Sequence, residues 1–374
     1  MNIAFVSNVV YPFVTGGAEK RIYEIGTRLA ARGHTVTVYG RHFWDGPREM
    51  DHDGMRLRAV ADERDIHTGD RRSIPEAIEF AVRLARPLRH HVSEHDVVVA
   101  SVFPYFPVLT AAVATWRTDV PLVTTWHEVW REYWWEYLGP LAPGGIAIER
   151  AAAAVPQHPV AVSAVTADRL AALGPDRSEI DVVHNGVDVS HIQSIDPATT
   201  GFDILVVGRL VPAKGVNRLL RAVATLDRTP TVGIVGDGPE RKRLERLADA
   251  LGLSEQVSFL GFLADYDDVL AQYQAAAVFA SASTREGFGI TLVEAMAAGC
   301  TVVATDHPNS AAAEVVGDGG FLVAPETAAL ATGLRRALDG DRPTMAPTDR
   351  AADFDWTTVT DQAEAVYKRV GSWR

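Results

Sequence analysis

The 374-residue sequence has one cysteine, little lysine and a deficit of positive charge, and each shortage excludes something. Cys300 alone admits neither an intrachain disulfide nor a cysteine cluster for metal. Its place just before the apolar run Thr301 to Ala304 marks it as a small buried hydrophobe. A formal net charge of -12 argues against nonspecific nucleic-acid binding, which needs a basic surface. No G-x-G-x-x-G follows a strand-like stretch, which disfavours a nicotinamide or flavin dinucleotide, and the G-x-x-x-x-G-K-[ST] loop is missing. His90 and His91 are adjacent and no H-E-x-x-H occurs, so no metal-ligand spacing is supported. The chain opens directly on the strand-like Asn2 to Val6, so no signal peptide is expected and the cytoplasm is the expected location. The uncharged stretch Val97 to Trp116 is about long enough to span a bilayer, but Pro104 and Pro107 break it, and it reads as a buried strand leading to a short helix.

What is present is a soluble globular composition, 47% hydrophobic and 22% charged, in a chain long enough for two domains. The first half alternates strands and helices. Ile3 to Val6 precedes a glycine turn and a helix over Glu19 to Arg32; strands are then expected at Thr35 to Tyr39, Met55 to Val60, Val97 to Ala100, Pro121 to Thr125 and Val160 to Val162. The alternation restarts with six candidate strands, Asp203 to Val207, Thr231 to Val235, Val257 to Leu260, Ala277 to Ser281, Thr301 to Ala304 and Phe321 to Val323. The expected fold is therefore α/β, with two Rossmann-like doubly wound parallel-sheet domains facing a deep cleft between them. The expected boundaries are 1–190 for the first domain, 191–201 for a polar, turn-rich linker, 202–355 for the second domain and a C-terminal surface helix over about 356–374.

Candidate chemistry collects at the ends of these strands. Gly16 and Gly17 lie just before a helix, where glycine lets the backbone approach an anion or simply makes a tight turn. Lys214 is one of only four lysines among 36 basic residues, and with Arg209 it puts two cations on one loop at a strand's carboxyl end, a placement suited to a diphosphate. Gly236-Asp237-Gly238-Pro239 fits a turn into the next helix. Glu286 and Glu294 bracket a stretch that changes from glycine-rich loop, with Phe288 and Gly289, to apolar helix from Ile290. One carboxylate could accept from a ribose diol and the other from a sugar; alternatively one caps the loop and the other is a solvated helix residue. His127 follows a strand and suits either a polar contact to a transferred group or a structural role. Trp130, Tyr133, Trp134, Trp135 and Tyr137 form an aromatic segment whose rings surround a helix, so some pack in the core and others suit sugar stacking or a membrane's interfacial zone.

Taken in order, Gly16-Gly17-Ala18-Glu19, His127, His184-Asn185-Gly186-Val187-Asp188, Gly208-Arg209 with Lys214-Gly215, Gly236-Asp237-Gly238-Pro239, and Glu286-Gly287-Phe288-Gly289 with Glu294 resemble the retaining, nucleotide-sugar-dependent glycosyltransferases of family 4. The resemblance spans nearly the whole chain and implies the GT-B arrangement, with acceptor bound by the first domain and donor by the second. It implies that Arg209 and Lys214 bind the donor diphosphate, with Gly16 and Gly17 near it and Gly17 giving a backbone contact. Glu294 would hold the ribose, and Glu286 with the amides near Phe288, Gly289 and Ile290 would hold the sugar. His127 would line the sugar, making His127, Glu286, Arg209 and Lys214 the catalytic set, while Trp130, Tyr133 and Trp134 are acceptor candidates. It further implies a UDP- or GDP-hexose donor, a glycan or lipid-linked acceptor, no cofactor, no catalytic metal and retained anomeric configuration. The C-terminal helix is expected to return to the first domain. The loop Asp306-His307-Pro308-Asn309-Ser310 departs from the glycine-rich turn of many relatives, so no ligand contact is carried over to it. An epimerase on the same frame and a noncatalytic nucleotide-sugar sensor are the competing readings.

Overall fold

The computed structural model describes residues 1–14, 16–68 and 71–371, and the chain within it divides into two compact units. One comprises Met1–His184 with Trp356–Arg374, the other Asn185–Asp355. The last residues of the expected C-terminal helix, 372–374, lie outside the described residues.

In the first unit, β1 (Asn2–Val6), β2 (Thr35–His42), β3 (Glu49–His52), β4 (Met55–Asp62), β7 (Val97–Val102), β8 (Leu122–Trp126), β9 (His158–Ala161) and β10 (Asp181–Val182) form one sheet, while β5 (His67–Thr68) and β6 (Arg71–Arg72) pair as a separate hairpin. The sheet order is β10-β9-β8-β7-β1-β2-β4-β3, and every pairing is parallel except β3 with β4. The period of two explains its burial. Ala4 and Val6 join Val98, Ala100, Phe80 and Leu84 on one face, while Ile3 and Phe5 join Val97, Val99, Ile25 and Leu29 on the other. That second face is also covered by Trp356, Val359, Ala363 and Tyr367 of the C-terminal helix Trp356–Gly371, which places this helix with the first unit.

The second unit is a six-stranded parallel sheet in the order β13-β12-β11-β14-β15-β16, built from β11 (Ile204–Val207), β12 (Val232–Val235), β13 (Val257–Gly261), β14 (Val278–Ser281), β15 (Thr301–Thr305) and β16 (Gly320–Val323). The order reverses beside β11, between β11 and β14, and such a switch point is where open α/β sheets bind ligands. This unit begins at Asn185, upstream of the expected linker. Val187 forms a parallel bridge to Asp355, Ile192 is buried, and Gln274 Nε2 donates to the Ile192 carbonyl at 2.6 Å. Residues 191–194 are therefore part of the helix Val189–Ser194, packed into the second unit.

The stretch Val97 to Trp116 is β7 followed by the helix Phe106–Thr115. Among the described residues no helix is long and apolar enough to cross a membrane.

Candidate active site

At the carboxyl ends of β11 and β14, Gly208, Arg209, Lys214, Ser283 and Glu286 line one pocket of the second unit. Local geometry fixes the cationic loop. Gly215 has φ +64, and a Cβ there would meet the Ala282 carbonyl oxygen at 2.2 Å, so only glycine fits where the loop turns against β14's end. Gly236 supports the same loop from below: it has φ +123, and a Cβ on it would lie 2.1 Å from the Gly208 oxygen. Leu210 N–H donates to the Asp237 carbonyl at 2.8 Å, so the Gly236-Asp237-Gly238 turn holds the backbone that carries Arg209.

Lys214 Nζ lies 2.6 Å from Glu286 Oε1, and both side chains are half-buried. An ammonium has three donors, so Lys214 can keep this bond and still reach a phosphate oxygen. Arg209 is exposed, and its side chain has no hydrogen-bond or ion-pair partner among the described residues. Glu286 is fixed through its backbone: its carbonyl accepts from Ala311 N–H at 3.0 Å and its N–H donates to the Asn309 carbonyl at 3.3 Å. The segment 306–311 therefore shapes this loop, a role that its departure from the glycine-rich pattern concealed.

Glu294 is placed differently from Glu286. It sits in the middle of the helix Ile290–Ala297, is buried, and does not line that pocket. Its Oε1 accepts from Tyr266 Oη at 2.6 Å and its Oε2 from Tyr273 Oη at 3.1 Å. Burial and the neighbouring carboxylate push the Tyr273 hydroxyl's pKa well up, so it stays a donor. Gly289, at φ +90, begins this helix without a side-chain cap, and Phe288 is buried against Phe354 at 5.6 Å between ring centroids. Sequence reasoning missed both tyrosines. Their spacing along the helix Tyr266–Gln274 puts them on one face, but nothing local ties that face to Glu294.

In the first unit, Gly16 is the extended residue before the helix Gly17–Ala31. The Glu19 carboxylate lies so close that a Cβ on Gly16 would meet its Oε2 at 2.2 Å. His127 follows β8 and shares a small pocket with Arg21, Ser101 and Tyr367. Its Nε2 is 3.3 Å from Ser101 Oγ. Burial first, and the charge of Arg21 second, bring its pKa down to about 3, which keeps the imidazole neutral near pH 7. Arg21 itself is buried and donates to the carbonyls of Val183, at 3.0 Å, and His184. The sequence signal for Arg21 was its register with Ile25 and Leu29 on the buried stripe of one helix.

The aromatic segment splits by depth. Trp134 is buried, and α-carbon packing is so close that a Cβ on Gly145 would meet its ring at 2.3 Å, which removes Trp134 from any stacking surface. Trp130 and Tyr133 are half-buried, with ring centroids 5.1 Å apart, and Trp135, which was not an acceptor candidate, is 55% exposed. Among the described residues no group of three His, Cys, Asp or Glu side chains could hold a metal ion.

Two family models match consecutive halves of the chain: one described as Glycosyltransferase Family 4 over residues 15–191, and one described as Glycosyl transferases group 1 over residues 190–353. A glycogen synthase of Mycobacterium tuberculosis is 29% identical over 98% of this chain and 94% of its own. Among solved structures, a sucrose-phosphate synthase from Thermosynechococcus elongatus superposes with a TM-score of 0.78 at 19% identity, covering 99% of this chain and 98% of that one. Anabaena HepE in complex with UDP and glucose gives 0.71 at 22% identity, covering 99% and 100%.

Proposed function

The chain belongs to the GT-B glycosyltransferases of family 4 and is a glycosyltransferase, and from that premise we propose that it moves a hexose from a nucleotide-diphosphate sugar to a glycan or lipid-linked acceptor, with retention and without a metal ion. The observation that carries this reading is the incomplete charge pairing at the carboxyl ends of β11 and β14: among the described residues the Arg209 side chain has no partner, and the Lys214 side chain beside it bonds only to Glu286. In this reading the two cations meet the donor diphosphate and stabilise the charge that grows on it as the glycosidic bond breaks. Glu286, fixed by the 306–311 segment, accepts from sugar hydroxyls, and the start of the helix Ile290–Ala297 faces the donor with the amides near Phe288, Gly289 and Ile290. Glu294, oriented by its two tyrosines, accepts from the ribose. Neutral His127 can donate one hydrogen bond to the sugar and accept another. Gly17 contributes a backbone contact to the diphosphate, and Trp130 and Tyr133 receive the acceptor. A UDP-bound neighbour and a glycogen synthase among the relatives support a UDP-sugar donor and a glycan acceptor.

A thermal-shift screen of UDP, GDP and ADP with their sugars tests the donor, because a ligand that binds only the folded state raises Tm. Proton NMR of the transfer product should show the donor's anomeric configuration; inversion would overturn retention. Activity should survive excess EDTA, and its loss would overturn metal independence. Epimerised donor formed without acceptor would instead favour an epimerase. Exposed Trp135 and Leu141 also support peripheral contact with an acceptor-bearing membrane, to be checked by cosedimentation with liposomes.

A further inference from the structure

The loop that follows β8 is clamped by side chains from two separate helices. Glu149, on the helix Ala142–Ala154, is fully buried. Its Oε1 accepts from Trp130 N–H at 2.7 Å and from Tyr105 Oη at 2.9 Å, and its Oε2 accepts from Arg131 N–H at 2.9 Å. No cation pairs with it among the described residues. From the other side Arg169, on the helix Ala164–Ala171, donates to the carbonyls of Val129 at 2.9 Å and Trp130 at 3.2 Å, and meets Glu132 at 3.0 Å.

The peptide groups of residues 129–131 are thus held through their N–H groups by an acid and through their carbonyls by a base. Between these clamps Arg131 takes φ +49, a left-handed conformation that a non-glycine residue keeps only where its surroundings over-determine it. A buried carboxylate without a cation is itself expensive, and its three donors are what make it tolerable. Both costs fall on one loop, which starts at His127 and presents Trp130 and Tyr133. The Trp130 ring is braced in turn by Phe103 at 4.9 Å and Tyr137 at 4.7 Å.

We infer that Glu149 is a positioning residue for the acceptor: its carboxylate, opposed by Arg169, presets the 129–131 backbone so that the half-buried faces of Trp130 and Tyr133 meet an acceptor's pyranose ring without ordering on arrival. This rests on the transferase reading above, and on the general gain from paying ordering costs before binding. Glu149 touches no reacting atom in this scheme. It acts through the loop.

The test is Glu149→Gln, which keeps the size but puts an amide NH2 where one peptide N–H needs an acceptor. Two readouts are taken on the full chain: hydrogen exchange at the Trp130 and Arg131 amides, and transfer kinetics with UDP-glucose as donor and maltoheptaose as acceptor. The expected result is exchange at least about tenfold faster at these amides, with the KM for maltoheptaose raised about tenfold and that for UDP-glucose changed by less than about twofold. A merely structural glutamate would shift both KM values together or neither, and that outcome overturns the proposal. Unaltered amide exchange overturns it whatever the acceptor. Arg169→Lys, which keeps the charge but loses the fork to two carbonyls, should give the same split more weakly and serves as the test if Glu149→Gln does not fold. Absence of nucleotide-sugar binding and transfer by the wild-type protein would sink the transferase reading, while the exchange result would still decide whether the clamp exists.

Discussion

Two cation–carboxylate pairs in this protein share a 2.6 Å contact and differ in everything else. Arg41 and Glu76, in the first unit, are sealed from solvent. The guanidinium also reaches the carbonyls of Asp62 at 2.7 Å and Glu76 at 2.9 Å and the Glu79 carboxylate at 2.6 Å, while Asn8 Nδ2 donates to Glu76 at 3.1 Å. Lys214 and Glu286, in the second unit, are half-buried, and Lys214 makes no other side-chain bond among the described residues. A pair sealed from solvent, with four of its five guanidinium donors engaged, can do little but hold the fold together. One with ammonium donors to spare, beside an Arg209 side chain that has no partner among the described residues, has the charge and the donors to take an anion.

The sharpest way to break this contrast is to remove one cation from each pair. Arg41→Ala should lower unfolding stability by about 3–5 kcal/mol, because Glu76 is left buried and unpaired, while activity per folded molecule stays near wild type. Chemical denaturation with active-site titration checks it, and a loss of turnover without a loss of stability would reverse the two assignments. Lys214→Ala should lower kcat/KM by about 100-fold, roughly 3 kcal/mol, with Tm nearly unchanged. Wild-type kinetics there would remove the pocket from the mechanism. A smaller effect is expected at Glu294, where Tyr273→Phe removes one donor and should cost about 1 kcal/mol in stability and raise the donor KM severalfold. An unchanged donor KM would count against the proposed ribose contact of Glu294.

The last effect concerns pH. His127 titrates near 3 in the folded chain and near 6.5 when unfolded, so the unfolded state binds the proton more readily between these values. The stability from burying it neutral is fully present above about pH 6.5 and declines as the pH falls towards 3. Tm should therefore drop between pH 7 and 4 more steeply in wild type than in His127→Gln, although His95, brought down to about 4 by burial, keeps part of the slope in both. Parallel Tm curves would show that His127 is not buried as described.

The sequence disclosed the two units unequally. All six strands of the second sheet were legible, because Val-rich runs such as Ile204–Val207 and Thr301–Thr305 are buried on both faces and are bounded by turns. In the first sheet β3 went unseen: Glu49–His52 is a polar edge strand whose only signal is its antiparallel register with β4. At the candidate site, Arg209, Lys214 and Glu286 could be found because they lie on short loops after strands. Tyr266, Tyr273, Glu149 and Arg169 could not, because each reaches its partner across tertiary packing, and an acid inside the alanine-rich helix Ala142–Ala154 reads locally as a solvated residue.

The C-terminal helix Trp356–Gly371 carries a consequence for biosynthesis. Trp356, Val359, Ala363, Val366 and Tyr367 complete a core whose other walls, β1 and the helix Gly17–Ala31, are translated long before them. The ribosome must make all of residues 185–355 before it supplies them. The second unit, continuous in sequence, can finish folding during translation, whereas the first must wait with one apolar face uncovered until residues 356–371 have emerged.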